Sequence, residues 1–158
     1  MNMRAFLKTL LRLAVCRALI FVAGVLSSCN KTNNPIGSDS PLSENQIVEL
    51  GQQSFIAYQQ EGSSIAIQKL GQYLDGLNRL EKSESTNLLV FSKAVISLDS
   101  MLAHARLAKV YSVTGQTNLA GQHITEALVR ASNQKLDNVT NEASLWEFLA
   151  RVDKAGKQ

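Results

Sequence analysis

Both prolines of this chain lie in its early part, and this limits how the rest can fold. Pro35 and Pro41 precede Ser43, and no proline follows as far as Gln158. Because proline removes a helical hydrogen bond, its absence permits long helices. Apolar residues after Ser43 recur three and four positions apart, as on one face of a helix. With 45% apolar and 18% charged residues, the chain has enough material for a buried core. The sequence therefore predicts an all-α fold.

Two helix starts can be placed near the beginning of this region. Ser43 and Gln46 have the spacing of a capping box, which predicts a helix that starts there and stops near Gly62. Ser63 and Ser64 offer an N-cap for a second helix. The segment after this second helix is polar and predicts a loop.

The third helix is expected to be long and central. Apolar residues with alternating spacings of three and four form a seam of Leu88, Phe91, Val95, Leu98, Leu102 and Ala105. The pattern predicts one helix over 87–114, of about 28 residues and roughly 42 Å. A kink near Asp99 and Ser100 is the alternative. A fourth helix is expected over about 117–133, and a fifth is marked by Leu145, Phe148, Leu149 and Val152, with Trp146 beside them.

Part of this helical region matches the residue pattern of a known repeat. With Met101 as position 1, positions 7, 8, 11, 15, 20, 24 and 27 hold Leu107, Ala108, Tyr111, Gly115, Ala120, Ile124 and Ala127. The pattern resembles the tetratricopeptide repeat, a helix–turn–helix unit of about 34 residues. The small residues at positions 8 and 20 would let the two helices approach closely. The glycine would tolerate a left-handed turn between them.

The match to the repeat is incomplete. His104 stands where the family usually has a large aromatic residue, and Ser132 stands where it usually has proline. An earlier echo from Tyr58 to Gly62 is displaced by 53 residues, so it is not a simple tandem copy. The resemblance implies a short tetratricopeptide-like repeat or bundle of about five helices. An ordinary antiparallel helix pair is the alternative.

Residues 1–28 differ in composition from the rest of the chain. An apolar run from Ala18 to Leu26 follows a segment whose only charged residues are Arg4, Lys8, Arg12 and Arg17. This is the layout of a secretory signal, and the run is shorter than the roughly 18–20 residues that span a bilayer. Without these four residues the net charge falls from +3 to −1. That balance argues against a nucleic-acid partner.

The signal ends in Leu26-Ser27-Ser28-Cys29, which resembles the lipobox of bacterial lipoproteins. The resemblance implies that residues 1–28 are removed, that the Cys29 thiol receives a diacylglyceryl group and that its new amine is acylated, for example by palmitate. Two or three acyl chains would hold the protein on a membrane. Cys16 would be lost and Cys29 capped, which leaves no thiol for catalysis or a disulfide. An ordinary cleaved signal with an incidental cysteine, or a short buried helix, is the alternative.

The segment after the lipobox predicts how the protein is displayed. Residues 29–42 would form the lipidated cysteine and a flexible tether with a reach of roughly 20 Å, followed by a helical domain over 43–158. In many Gram-negative bacteria an aspartate after the cysteine retains a lipoprotein in the inner membrane. Asn30 at that position favours the outer membrane facing the periplasm, while Lys31 keeps the inner membrane open as an alternative.

Residue patterns typical of catalysis do not occur in the sequence. His104 and His123 are expected on different helices, His104 as a packing residue and His123 on the surface, without an acidic neighbour at metal-ligand spacing. The chain has no phosphate-binding glycine loop and no nucleophile elbow. Trp146 is interpreted as a core residue. We therefore expect no catalytic residue, no metal and no cofactor.

These observations favour a binding protein of the cell envelope. The expected function is that of a membrane-anchored periplasmic lipoprotein that serves as a protein-binding scaffold or assembly factor, because paired helices offer a groove for peptide segments or partner helices. The partners would be envelope proteins of unknown identity. The alternative is an inhibitor or surface-exclusion lipoprotein that blocks an incoming protein. An enzyme with a degenerate site is a third hypothesis, which would need polar groups that converge in a pocket.

Overall fold

The computed structural model describes residues 42–60, 62–83 and 90–156. These residues form no strand and five helices, namely α1 (Glu44–Gln60), α2 (Ser63–Lys82), α3 (Lys93–Val113), α4 (Thr117–Asn133) and α5 (Glu142–Ala155). The prediction of an all-α fold with about five helices is confirmed. Described residues up to Leu149 belong to one compact unit, and those from Ala150 belong to a second unit.

The two expected starts of α1 and α2 have different outcomes. The backbone N–H of Ser43 donates to Gln46 Oε1 at 2.8 Å, and the backbone N–H of Gln46 donates to Ser43 Oγ at 3.4 Å. The capping box is thus confirmed. The N-cap predicted for α2 is wrong, because Gly62 occupies that position without a side-chain hydrogen bond and Ser63 is already helical. The carbonyl of Gly62 accepts the N–H of Ala66 at 3.0 Å and closes the first turn.

The central helix is shorter than the sequence pattern predicts. Ser92 has an extended backbone with ψ 159°, and its Oγ accepts the N–H of Val95 at 3.3 Å. This N-cap starts α3 at Lys93, so a single helix over 87–114 is wrong. The 21 residues of α3 continue through Asp99 and Ser100 without interruption, over about 32 Å. Residues 84–89 lie outside the described part of the chain.

Each of the first four helices packs on its neighbour in the chain. α1 contacts α2, α2 contacts α3, and α3 contacts α4. Eleven residues of α3 are buried, and consecutive positions from Met101 to Ala105 are all among them, so α3 is covered on more than one side. The core cluster of α1, α2 and α3 contains Ile47, Ala66, Leu70, Tyr73, Leu74, Leu77, Leu80, Phe91, Ile96, Ala103, Leu107 and Val110.

Side chains near both ends of the unit that runs up to Leu149 are also packed or hydrogen-bonded. Leu42, which the sequence assigns to the tether, is half-buried against the core cluster. At the start of α5, Asn141 Oδ1 accepts the N–H of Ser144 at 3.0 Å, and Ser144 Oγ accepts the N–H of Asn141 at 3.1 Å. This reciprocal cap orients α5 so that Leu145 and Leu149 are buried. Within the described ranges, none of the helices has the length and apolar character needed to cross a membrane.

Candidate functional site

The repeat-defining residues lie on α3, on α4 and at the turn between them, and Leu107 and Tyr111 also pack on the core cluster of α1, α2 and α3. Leu107, Ala108, Ala120 and Ala127 are buried, while Tyr111 and Ile124 are half-buried. The buried alanines on both helices add little bulk where α3 and α4 pack on each other. Burial of these four residues is consistent with a packing role, and their assignment to a repeat stays a prediction. The proposed lipid attachment residue, Cys29, lies outside the described residues.

Gly115 makes the turn that sets this contact. Its φ is +75°, the left-handed conformation that costs glycine little. The N–H of Gly115 donates to the Ser112 carbonyl at 3.2 Å, and the N–H of Gln116 donates to the Tyr111 carbonyl at 2.9 Å. This pair of hydrogen bonds is a Schellman motif, which ends α3 and turns the chain towards α4. The left-handed turn expected at this glycine is present.

A groove opens between the C-terminal end of α3 and the first turns of α5. Its volume is about 270 Å³, and it is lined by Lys109, Ser112, Val113, Glu142, Trp146 and Leu149. Val113 is 75% exposed at the end of α3, so its side chain is open to solvent beside the groove. Trp146 Nε1–H donates to Glu142 Oε1 at 3.0 Å, which orients the indole ring. Trp146 is half-buried at the groove rather than in the core, so that part of the sequence interpretation is wrong.

Cations and aromatic rings extend the groove towards α1. Arg106 Cζ lies 4.7 Å from the centre of the Phe55 ring and 5.7 Å from that of Tyr58. Lys109 Nζ lies 5.8 Å from the centre of the Tyr58 ring. Cations at these distances are attracted to the ring faces, which holds the rings in place. We name the combined surface the docking face and define it as Phe55, Tyr58, Arg106, Lys109, Val113 and Trp146.

The two histidines meet at the α3–α4 contact, which the sequence interpretation did not foresee. The Nδ1 atoms of His104 and His123 are 2.8 Å apart. His104 is 9% exposed, as expected for a packing residue. His123 is half-buried rather than on the open surface, and the Tyr111 ring stacks on it with centroids 5.4 Å apart and planes 7° apart. The expectation of a surface role for His123 is therefore wrong.

Their surroundings favour the neutral form of both imidazoles. The pKa of His104 is lowered from 6.5 to about 4, chiefly by burial and in addition by the nearby His123 and Arg130. Burial also lowers the pKa of His123, although the carboxylate of Glu126 acts in the opposite direction. Both rings are consequently uncharged at neutral pH.

A sequence signal for this pair exists in the register of the hairpin. His104 lies 11 residues before Gly115 and His123 lies 8 residues after it. A tight turn makes the two helices antiparallel neighbours, so residues at comparable distances from Gly115 lie near each other, and the three-residue difference here is less than one helical turn. The sequence interpretation assigned the two histidines to separate helices and did not consider how those helices align, so it did not predict this contact. Among the side chains that the structure describes, no group of three or more potential ligands could hold a metal ion.

Comparisons with family models, with curated proteins and with solved structures find no match to this chain.

Proposed function

We propose that this protein is a lipid-anchored lipoprotein of the cell envelope that serves as a protein-binding scaffold or assembly factor. The proposal of an anchor rests on the cationic and apolar leader and on Leu26-Ser27-Ser28-Cys29. The lipid would be attached at Cys29, and Asn30 favours the outer membrane facing the periplasm. The proposal of protein binding rests on the docking face.

The composition of the docking face is the observation that carries the binding role. Aromatic residues and arginine are enriched in the centres of protein interfaces, and the docking face combines Phe55, Tyr58 and Trp146 with Arg106. The groove is smaller than most ligand pockets, which have roughly 300–1,000 Å³. Its 270 Å³ suits one large side chain of a protein partner better than a cofactor or a whole small molecule.

The arrangement of helices supports a tetratricopeptide-like unit. α3 and α4 form a hairpin with alanines at their contact and glycine at the turn, and each helix up to α4 packs on its chain neighbour. Sequential packing of this kind is typical of helical repeats, which bind partners through rigid surfaces formed by several helices. A partner that contacts α1, α3 and α5 together would use the docking face in this way.

A photoreactive amino acid placed at Val113 tests the binding role in intact cells. We expect it to form one discrete adduct with an envelope protein, because Val113 is exposed at the edge of the groove. The same amino acid at Val129, which is 52% exposed on α4 and does not line the groove, is the matched control. Identical adducts at both positions, or none at Val113, would contradict the proposal. The adduct should also be lost in the Cys29→Ala variant if anchoring brings the partners together.

Fatty-acid labelling tests the anchor separately. A clickable fatty acid should label the native chain and fail to label Cys29→Ala, because this thiol is the only one that follows the small-residue motif. Equal labelling of both would refute the lipobox assignment. Protease treatment of intact cells then reports orientation. Protection of the chain from the protease indicates a periplasmic scaffold, whereas cleavage of the chain favours the alternative of a surface-exclusion lipoprotein.

A further inference from the structure

His104 and His123 meet end to end. Their Nδ1 atoms are 2.8 Å apart, and their ring centres are 5.1 Å apart. This centre-to-centre distance is close to the largest that a 2.8 Å nitrogen contact permits, so both nitrogens lie nearly on the line between the ring centres. The lone pair positions therefore point at each other. That alignment is the geometry of a linear N–H···N hydrogen bond rather than of two ligands converging on one metal ion.

The space between the two nitrogens holds one proton. In the neutral pair, one imidazole carries its proton on Nδ1 and donates it to the bare Nδ1 of the other. A first added proton is tolerated, because an imidazolium still donates to a neutral imidazole. A second added proton places N–H groups on both Nδ1 atoms, and two donors cannot remain 2.8 Å apart. The contact must then open.

We infer that His104 and His123 form a proton-sensitive latch, which joins α3 to α4 while at least one ring is neutral and releases when both rings are protonated. The latch spans the two helices across the turn at Gly115, so its release loosens that hairpin and leaves the α1–α2 contact in place. It does not depend on the proposed function, since it concerns only contacts between α3 and α4 and their neighbours.

The neighbouring groups determine the order in which the rings accept protons. Glu126 on α4 favours a proton on His123, which is also the more exposed ring, and the Tyr111 ring on α3 covers one of its faces. Arg130 on α4 opposes a positive charge on His104, while Arg130 itself pairs with Glu81 on α2 at 3.2 Å. His123 therefore takes the first proton. His104 takes the second only in acid, since its pKa is about 4.

Nuclear magnetic resonance of the full chain with labelled histidines tests the latch directly. At about pH 7, the ¹⁵N shifts should show one ring protonated on Nδ1 and the other with a bare Nδ1 that accepts this proton. On acidification, the two rings should titrate in separate steps, more than about one pH unit apart, because they are coupled. Two rings with bare Nδ1 atoms that titrate independently near their ordinary pKa would overturn the inference.

Hydrogen exchange of the full chain tests the release. His123→Asn keeps a short side chain that can hydrogen-bond to His104 but cannot become charged, and Gln122→Asn on the exposed side of α4 is the matched control. The measured quantity is the opening equilibrium of the α3 and α4 amides, obtained from exchange rates corrected for intrinsic rates. From about pH 7 to about pH 4 it should rise at least about tenfold in the native chain and in the control. The rise should be clearly smaller in His123→Asn. Amides of α1 and α2 give the internal reference. Equal increases in all three chains would refute a latch.

Discussion

Among the residues that the structure describes, two occupy the left-handed region of backbone conformation, and they end consecutive helices in the same way. Gly115 has φ +75° after α3, and Lys135 has φ 54° after α4. Like Gly115, Lys135 belongs to a Schellman motif, in which its N–H donates to the Ser132 carbonyl and the N–H of Leu136 donates to the Ala131 carbonyl. The two motifs differ in the cost of the left-handed residue, because only glycine lacks the Cβ that crowds the backbone.

Gly115→Ala should lower the free energy of unfolding by about 1 kcal/mol, the cost of a left-handed residue with a Cβ. No atom lies within 4 Å of the added Cβ, so the loss reflects backbone strain alone. The same substitution at Gly121, inside α4 and equally open, should raise stability by about 1 kcal/mol because alanine favours the helix. Urea unfolding followed by circular dichroism measures both. Effects of the same sign would contradict the turn geometry.

Lys135→Gly should stabilise the protein by about 0.5 kcal/mol. Glycine relieves the left-handed strain at φ 54°, and the greater freedom of the unfolded chain offsets part of this gain. Lys135→Ala is the matched control, since it also removes the exposed lysine side chain but keeps the Cβ. The midpoint of urea unfolding should rise for the glycine variant only. A similar rise for both would show that the side chain, and not the backbone, sets the effect.

The sequence allowed one of these two turns to be predicted. Gly115 could be assigned because glycine is the residue that left-handed turns prefer, and the repeat pattern placed it between two helices. Lys135 gave no such signal, because lysine rarely adopts a positive φ and the surrounding segment is simply polar. Its conformation follows from the path that the chain takes from α4 to α5. Local residue preference could not reveal that path.

At the scale of helices, boundaries set by local interactions could be predicted from the sequence, whereas those set by tertiary packing could not. The start of α1 was predictable because Ser43 and Gln46 interact with each other within one turn. The start of α3 was not, because Phe91 continues the apolar spacing of the helix although it precedes the N-cap at Ser92. Phe91 is nearly fully buried in the core cluster. Its burial reflects tertiary packing, which an apolar pattern cannot separate from helix formation.

The α3–α4 contact should make stability depend on pH. The pKa of His104 is lowered from 6.5 to about 4 in the folded state, so the unfolded state binds more protons between these values. This contribution is fully present above about pH 6.5 and is lost as the pH falls towards 4. One pKa unit corresponds to about 1.4 kcal/mol. Because water reaches His123, the partner of His104, we expect the free energy of unfolding to fall by a total on the order of 2 kcal/mol.

Urea unfolding at a series of pH values measures this loss. His104→Phe is the informative variant, because phenylalanine fills the buried site and cannot titrate. The stability of the variant should still respond to acid through its other titratable groups. It should lack the fall in the free energy of unfolding that His104 causes between about pH 6.5 and about pH 4. An identical pH profile for the native chain and the variant would show that His104 does not contribute.

At the scale of the whole molecule, the features with a proposed role combine residues that are far apart in sequence. The docking face joins α1, α3 and α5, and the histidine pair depends on the alignment of α3 with α4. Helical spacing predicts which residues of one helix share a face, and Arg106, Lys109 and Val113 do so. It does not predict which helix lies opposite. Trp146 was therefore interpreted as a core residue, although it borders an open groove.

Trp146 should dominate binding if the docking face is used as proposed. Truncation of a tryptophan anchor commonly costs about 2 kcal/mol or more in an interface, which is more than a tenfold loss of affinity. In a chain with the photoreactive amino acid at Val113, Trp146→Ala should reduce the yield of the adduct by that order. Trp146→Phe is the control, since it keeps a smaller aromatic ring at the groove while it loses the indole N–H and its hydrogen bond to Glu142. Urea unfolding of both variants separates a loss of binding from a loss of folding. An adduct yield that is unchanged in folded Trp146→Ala would exclude the groove as the contact surface, even if the protein still has an envelope partner elsewhere on its surface.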